Sequence, residues 1–253
     1  LLSVDTVSIP VDFNSREIIV EELDAIVEKL ISEGKKYFMV ISNMATTMFG
    51  SVDNPDIYAE VLTKHTVEFK IHVDGAFGGF IYPISNRKST INFENPNVAS
   101  ITIDAHKMLQ APYGTGVFLC RKGLIENVLT KEAQYVDGMD LTIVGSRSGA
   151  NAIAVWMILV KNGPFGWYEK ILILQKRAEW LCKQLKQLEV AYYRNPRSNI
   201  VTIRAHFLNH HITQKFGLIP DNHLSPRWFK VVVMEHVSIE KLTLFVEELK
   251  TLQ

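Results

Sequence analysis

The side chains best suited to chemistry lie in two short stretches. The first is His72-Val73-Asp74-Gly75-Ala76-Phe77-Gly78-Gly79, where an apolar run ends on a carboxylate followed by small residues. Such a place lets a flat ring lie against backbone with the acid at its edge. The second is Asp104-Ala105-His106-Lys107, followed by Ala111-Pro112-Tyr113-Gly114-Thr115-Gly116. A lysine leaving an apolar strand for a glycine-loosened turn is easily desolvated, which lowers its pKa and frees the neutral amine for Schiff-base chemistry. Alone, each stretch is ordinary: a strand-end Asp commonly caps a turn, a single Lys after a strand is commonly a surface residue, and a neighbouring His is commonly structural. Together they say more. An acid that keeps a pyridine nitrogen protonated and a lysine on an aldehyde carbon are the two protein groups a pyridoxal cofactor needs most.

These residues need elements to carry them. Thr6–Val11 reads as a short strand, and Ser15 as the cap of a helix reaching Gly34 with apolar residues at helical spacing. Tyr37–Ser42 is a continuous apolar run of the kind a buried parallel strand shows. Asp56–Lys64 predicts a helix, and Glu68–Val73, Val98–Ile103 and Gly114–Arg121 predict strands. Asp74 and Asp104 therefore stand at carboxyl ends of strands, where open α/β sheets bind ligands. Ala150–Asn162, apolar nearly all round, predicts a core helix broken by Pro164, and Gly166–Leu188 a longer amphipathic one. Beyond Asn195–Pro196, strands at Asn199–Ala205 and Phe229–Met234 precede a helix capped by Ser238. The alternation predicts an α/β fold with a mainly parallel sheet and flanking helices over residues 1–189, and a small α/β domain over 190–253.

The bulk properties exclude some alternatives. The 27 basic and 27 acidic residues balance, which argues against a nucleic-acid partner. No apolar run reaches the roughly 18 residues of a membrane span. Cys120 and Cys182 follow no metal-ligand spacing and read as reduced thiols of a cytoplasmic protein. The distal histidines show no metal spacing, so no metal site is expected.

The run VDGAFGGF (Val73–Phe80) followed by SITIDAHKMLQAP (Ser100–Pro112) resembles the group II pyridoxal-phosphate-dependent amino-acid decarboxylases of fold type I, with the closest likeness to the archaeal-type tyrosine/aspartate decarboxylases. Gly145-Ser146-Arg147-Ser148-Gly149 and Met44-Ala45-Thr46-Thr47, with Gly50 and Asp53, extend the resemblance. It implies that Lys107 forms the internal aldimine, that Asp74 pairs with the pyridine nitrogen and that Ala76 packs on one ring face. It further implies that His106 helps anchor the phosphate and that Thr46 and Thr47 lie near the ring hydroxyl and the substrate carboxylate. Asp104 stands where relatives carry Asn or Ser and is expected to act through a hydrogen bond or a backbone contact. Arg147 is the candidate to orient an anionic group, with a structural arginine as its other reading.

The expected reaction is decarboxylation of an aromatic or acidic L-amino acid through a Lys107 Schiff base, in a cytoplasmic homodimer whose sites lie at the subunit interface. A carbon–carbon lyase of the sphingosine-phosphate lyase type and a non-catalytic homologue are the alternatives. Relatives carry a phosphate loop and a ring-stacking residue upstream of the stretch that matches Leu1. The large domain is accordingly expected to be partial here, lacking its amino-terminal part.

Overall fold

The structure is a computed structural model that describes residues 4–128 and 147–252. Helix α1 (Val20–Ser32) buries Leu23 and Val27, and its cap residue Ile19 offers no side-chain acceptor. The helix does not reach back to Ser15 as expected. Asp12 Oδ1 instead accepts the amides of Asn14 and Ser15 at 2.8 and 2.7 Å, and Arg16 takes a φ of 61° that no helix admits. The expected strand at Thr6–Val11 reduces to one bridge between Val11 and Ile18.

Strand β1 (Tyr37–Asn43), helix α2 (Pro55–Lys64) and strand β2 (Glu68–Asp74) follow, with Asn54 capping α2 through the amide of Asp56. A short helix α3 (Tyr82–Ser85) leads towards β3 (Val98–Asp104) and β4 (Gly116–Cys120). The sheet order is β1-β2-β3-β4. The first three strands are parallel, with Asn43 beside Asp74 and Asp74 beside Thr102, and β4 runs antiparallel to β3. Helices α1 and α2 cover one face, over a core that includes Tyr58, Leu62 and Ile71. The other face of β1 is open: Tyr37, Met39 and Ile41 are 77%, 69% and 55% exposed. The continuous apolar run is therefore a strand covered on one side.

Helix α4 (Gly149–Gln187) merges the two expected helices across a kink at Gly163, whose φ of 60° and ψ of 178° are not helical, with Pro164 next to it. Ser148 caps it through the amide of Asn151. Its first half is no core helix. Ile153, Trp156, Met157 and Val160 are exposed, and only Val155 and Ile158 pack against the core beneath. The second half buries Trp167, Ile171, Leu174, Ala178 and Leu181.

The remaining chain forms an antiparallel sheet of order β5-β6-β8-β7, made of β5 (Tyr192–Tyr193), β6 (Ile200–Arg204), β7 (Ile219–Pro220) and β8 (Trp228–Val232). Helices α5 (His210–Lys215) and α6 (Ile239–Lys250) pack on it around Ile212, Phe245 and Leu249. Ser238 caps α6 as its sequence predicts. Among the described residues, no helix is long and apolar enough to cross a membrane.

Candidate functional site

The carboxyl edge of β2 and β3 is built by backbone hydrogen bonds. Gly75 donates to Thr102 O at 2.9 Å and Asp104 to Ala76 O at 3.1 Å. These bonds fix the turn after Asp74 against the end of β3. The glycines there serve packing. A Cβ on Gly78 would lie 2.3 Å from Met44 O, and one on Gly79 would meet Ile103 at 2.9 Å. The turn after β2 thus docks both on β3 and on the loop after β1. Asp74 is half-buried, and its Oδ1 accepts the amide of Ala76 at 3.0 Å. Its Oδ2 has no hydrogen-bond partner among the described residues. A half-buried carboxylate with one oxygen still free is suited to hold a cationic N–H.

Lys107 sits on a rigid turn. Ala105, Met108, Leu109 and Ala111 are buried, packed against Trp167, Ile171 and Leu174 of α4. Burying Met108 and Leu109 contributes on the order of 2 kcal/mol each. Ala105 donates to Thr115 O at 2.9 Å, and Ala111 to Ala105 O at 3.0 Å. Asn199, wholly buried, donates through Nδ2 to Val233 O at 3.0 Å and lies 3.7 Å from Met108 Sδ. It ties the second sheet to this turn. The expected desolvation of Lys107 is not what the turn provides. Its side chain keeps 41% of its surface, and its ammonium pairs with Asp104 Oδ2 at 2.9 Å. The neighbours are buried so that this one residue projects.

Asp104 therefore partners Lys107, a role its sequence position did not suggest, although an acid three residues before a lysine in a turn is a readable signal. His106 places Nδ1 3.2 Å from Thr115 O, and its Nε2 lies 3.9 Å from Asp104 Oδ2. Its ring meets Tyr113 edge-on at 5.2 Å. Ala76 is half-buried at the mouth of the β2 turn.

The loop after β1 is held from both ends. Asp53, buried, accepts Asn43 N and Nδ2, both at 2.8 Å. Burial pushes its carboxyl above the usual range against the pull of these donors, and burial with the Asp53 charge pushes the Tyr58 hydroxyl up. Thr46 Oγ1 lies 2.7 Å from Ser51 Oγ, so this hydroxyl is engaged within its own loop. Thr47 is exposed and its carbonyl accepts Lys230 Nζ at 2.7 Å. Arg147 stands exposed before α4, and no hydrogen bond or ion pair joins it to Asp74, Asp104 or Lys107. Gly145 and Ser146 of its motif lie outside the described residues.

The sequence assigns His72, at the head of the first stretch, no role. On the face of β2 that carries Asp74, its ring lies between Ser100 Oγ at 2.8 Å and Thr102 Oγ1 at 3.1 Å, and burial lowers its pKa. A cleft of about 1550 Å³ runs along the open edge of β1 and is lined by Thr46, His72 and Arg16 but not by Asp74 or Lys107.

Comparison with known proteins bears on this geometry. The family described as "Pyridoxal-dependent decarboxylase conserved domain" matches residues 1–200. A tryptophan decarboxylase of Clostridium sporogenes is 55% identical over 251 residues, covering 99% of this chain and 60% of that protein. A "Probable L-tyrosine/L-aspartate decarboxylase" of Methanocella arvoryzae is 32% identical, covering 85% of this chain and 58% of that protein. The solved sphingosine-1-phosphate lyase of Burkholderia pseudomallei superposes with a TM-score of 0.81 at 18% identity, over 98% of this chain and 58% of that one. At that identity the likeness is one of fold, the α/β fold of type I with its mainly parallel sheet. The chain spans about three fifths of the length of these relatives.

Proposed function

The chain belongs to the pyridoxal-dependent decarboxylase family, and from that premise we propose that it removes the α-carboxylate of an L-amino acid as carbon dioxide and leaves the amine. Pyridoxal phosphate is the cofactor of this reading. The 55% identity to a tryptophan decarboxylase favours an aromatic substrate, tryptophan first, over an acidic one. One observation carries the assignment of residues. Asp74 and Lys107 leave neighbouring parallel strands at one edge, bound together by the bond from Asp104 N to Ala76 O. Neither charged group is sealed into the core.

When bound, pyridoxal phosphate supplies a protonated ring that draws off the electron pair left as the bond between α-carbon and carboxylate breaks. Asp74 holds the proton on the ring nitrogen through its free Oδ2. Lys107 Nζ would hold the aldehyde carbon, and Asp104 Oδ2, 2.9 Å away, is placed to orient that amine. Lys107 Nζ would also return a proton to the product. Ala76 presents its methyl to one ring face. His106, with Nδ1 turned to Thr115 O, keeps Nε2 for the phosphate. Thr46 and Thr47 would lie near the ring hydroxyl and the substrate carboxylate, and Arg147 would orient an anionic group.

We place this chemistry in a large domain over residues 1–189, beside a small domain over 190–253, a division supported by the two separate sheets. The exposed apolar residues of α4 support a homodimer, and the two free thiols support a cytoplasmic setting.

The deciding experiment loads the purified protein with pyridoxal phosphate, reduces it with borohydride and maps the modified peptide by mass spectrometry. L-Tryptophan, L-tyrosine, L-aspartate and L-glutamate are then offered to unreduced enzyme and amines are read by chromatography. Label on Lys107 and tryptamine in the product are expected. Label elsewhere, or no amine from any substrate, overturns the reading.

A further inference from the structure

Away from the Lys107 turn, three guanidinium groups converge on one aromatic ring. The carbons at the centres of the Arg16, Arg204 and Arg227 guanidiniums lie 4.8, 4.4 and 5.0 Å from the centroid of Phe13. Any two of them are consequently under 10 Å apart. Arg16 also lies 3.7 Å over Phe49, and Arg204 4.1 Å over Trp228.

The backbone builds this cage from both sheets. On one side, the Asp12 turn holds Arg16 in the left-handed region, a conformation that a non-glycine residue avoids unless its surroundings impose it. On the other, Arg204 and Trp228 are register partners on β6 and β8. Lys230, two residues along β8, points to the same side and donates to Thr47 O.

Like charges repel, and the opposing influence of Tyr193 and Asp12 on Arg16 does not offset burial and the two neighbouring guanidiniums. None of the three makes an ion pair among the described residues. Of the acids on these segments, Asp12 Oδ1 accepts the amides of Asn14 and Ser15, and Asp221 Oδ1 accepts those of Arg227 and Trp228 at 2.9 and 3.0 Å. Aromatic faces offset part of the charge, but they satisfy the flat side of a guanidinium and leave its N–H edge unmet. For Arg16 that deficit is visible, since Nε and Nη2 are buried with no hydrogen-bond partner. Burial, and to a lesser degree the neighbouring Arg204 and Arg227 guanidiniums, lower its pKa against the opposing pull of Tyr193 and Asp12.

Planar N–H edges held by stacking are the donors that fork onto an oxyanion. We infer that Arg16, Arg204 and Arg227 form a binding site for a phosphate dianion, free or as a monoester of a small metabolite, separate from the Lys107 turn. The bound anion bridges the 12–16 turn to β6 and β8. This inference stands without the decarboxylase reading, because none of its residues belongs to that site.

The test titrates inorganic phosphate, and separately glycerol 3-phosphate, into cofactor-loaded protein by calorimetry at constant ionic strength, with chloride and acetate as controls. Saturable binding of phosphate is expected, with no saturable binding of chloride or acetate. Binding should weaken at least tenfold in Arg204→Gln. Arg227→Gln, at an exposed position, keeps the test open if the first variant folds poorly, and should weaken it at least threefold. Cofactor absorbance should not change in either variant. Phosphate heats that scale only with ionic strength, equal binding of acetate, or variants that bind phosphate like the parent overturn the site. Tighter binding of glycerol 3-phosphate than of inorganic phosphate identifies a monoester as the ligand, and the reverse order identifies free phosphate.

Discussion

Replacing Gly78 with alanine sets a methyl carbon 2.3 Å from Met44 O and 2.7 Å from Met44 C. Ordinary contact between such atoms begins near 3.5 Å, so the turn after β2 and the loop after β1 must separate by about 1 Å. Overpacking of this kind costs about 1–3 kcal/mol. The bond from Gly78 N to Met44 O, 3.1 Å in the parent, is strained in the same movement, adding about 1 kcal/mol. A loss of about 2–4 kcal/mol follows, which lowers the urea midpoint by on the order of 1 M. Gly166→Ala supplies the control. Its added Cβ meets only Asn162 Cβ at 3.5 Å, inside α4, so the same chemical change should stabilise by about 0.5–1 kcal/mol through helix propensity. The assay is urea unfolding followed by circular dichroism, with retention of pyridoxal phosphate on dialysis as a second reading. Gly78→Ala should also shed cofactor faster, because the movement parts the Asp74 turn from the loop bearing Thr46 and Thr47. Equal midpoints for Gly78→Ala and the parent would refute the docking of these two loops.

Lys107→Ala should abolish both covalent cofactor capture and amine formation while leaving the fold intact, since the Lys107 side chain projects from a turn held by its buried neighbours; retention of either activity sinks the assignment. Asp74→Asn should fold normally and slow amine formation by about a hundredfold or more, as the ring nitrogen loses its charge partner; single-turnover rates close to the parent's would show the ring is held another way. Asp53 carries a pH signature. Burial raises its folded carboxyl above the unfolded value, so its charge destabilises the fold at neutral pH. That cost begins to disappear as pH falls through the raised folded value, and is gone once pH lies below the ordinary carboxylate range. Stability of the parent relative to Asp53→Asn should therefore rise as pH is lowered from 7 towards 4, and a difference that is flat or falls with acidification contradicts the burial effect.

The strands that end at Asp74 and Asp104 were legible because apolar runs closing on an acid and small residues are local patterns. So were the Ser238 cap and the Pro164 break. What escaped the sequence reading was non-local or conformational. The start of α1 turns on Arg16 adopting a left-handed backbone, which no periodicity records. The pairing of Lys107 with Asp104 depends on how the turn folds back, and it replaced the expected desolvation with an exposed ion pair. The Arg16 cage joins residues 13–16, 49, 204 and 227–228, which no spacing rule connects.

The open faces pose a different problem, because hydrophobicity reports what a segment would gain by burial and not whether anything covers it. Ile153, Trp156, Met157 and Val160 of α4 recur at helical spacing on one exposed stripe, and Tyr37, Met39 and Ile41 form a second patch on the bare side of β1. Contiguous apolar surface of this sort marks an interface in soluble proteins. The two patches lie on different elements, so substitutions can test each by itself. If a second copy of the chain packs on α4, as the homodimer reading has it, then Trp156→Lys should split the dimer in sedimentation experiments. Met39→Lys, on the sheet face, should leave the association unchanged. A dimer insensitive to Trp156→Lys and broken by Met39→Lys would move the contact to the sheet, and with it the side of the Lys107 edge from which a partner subunit approaches.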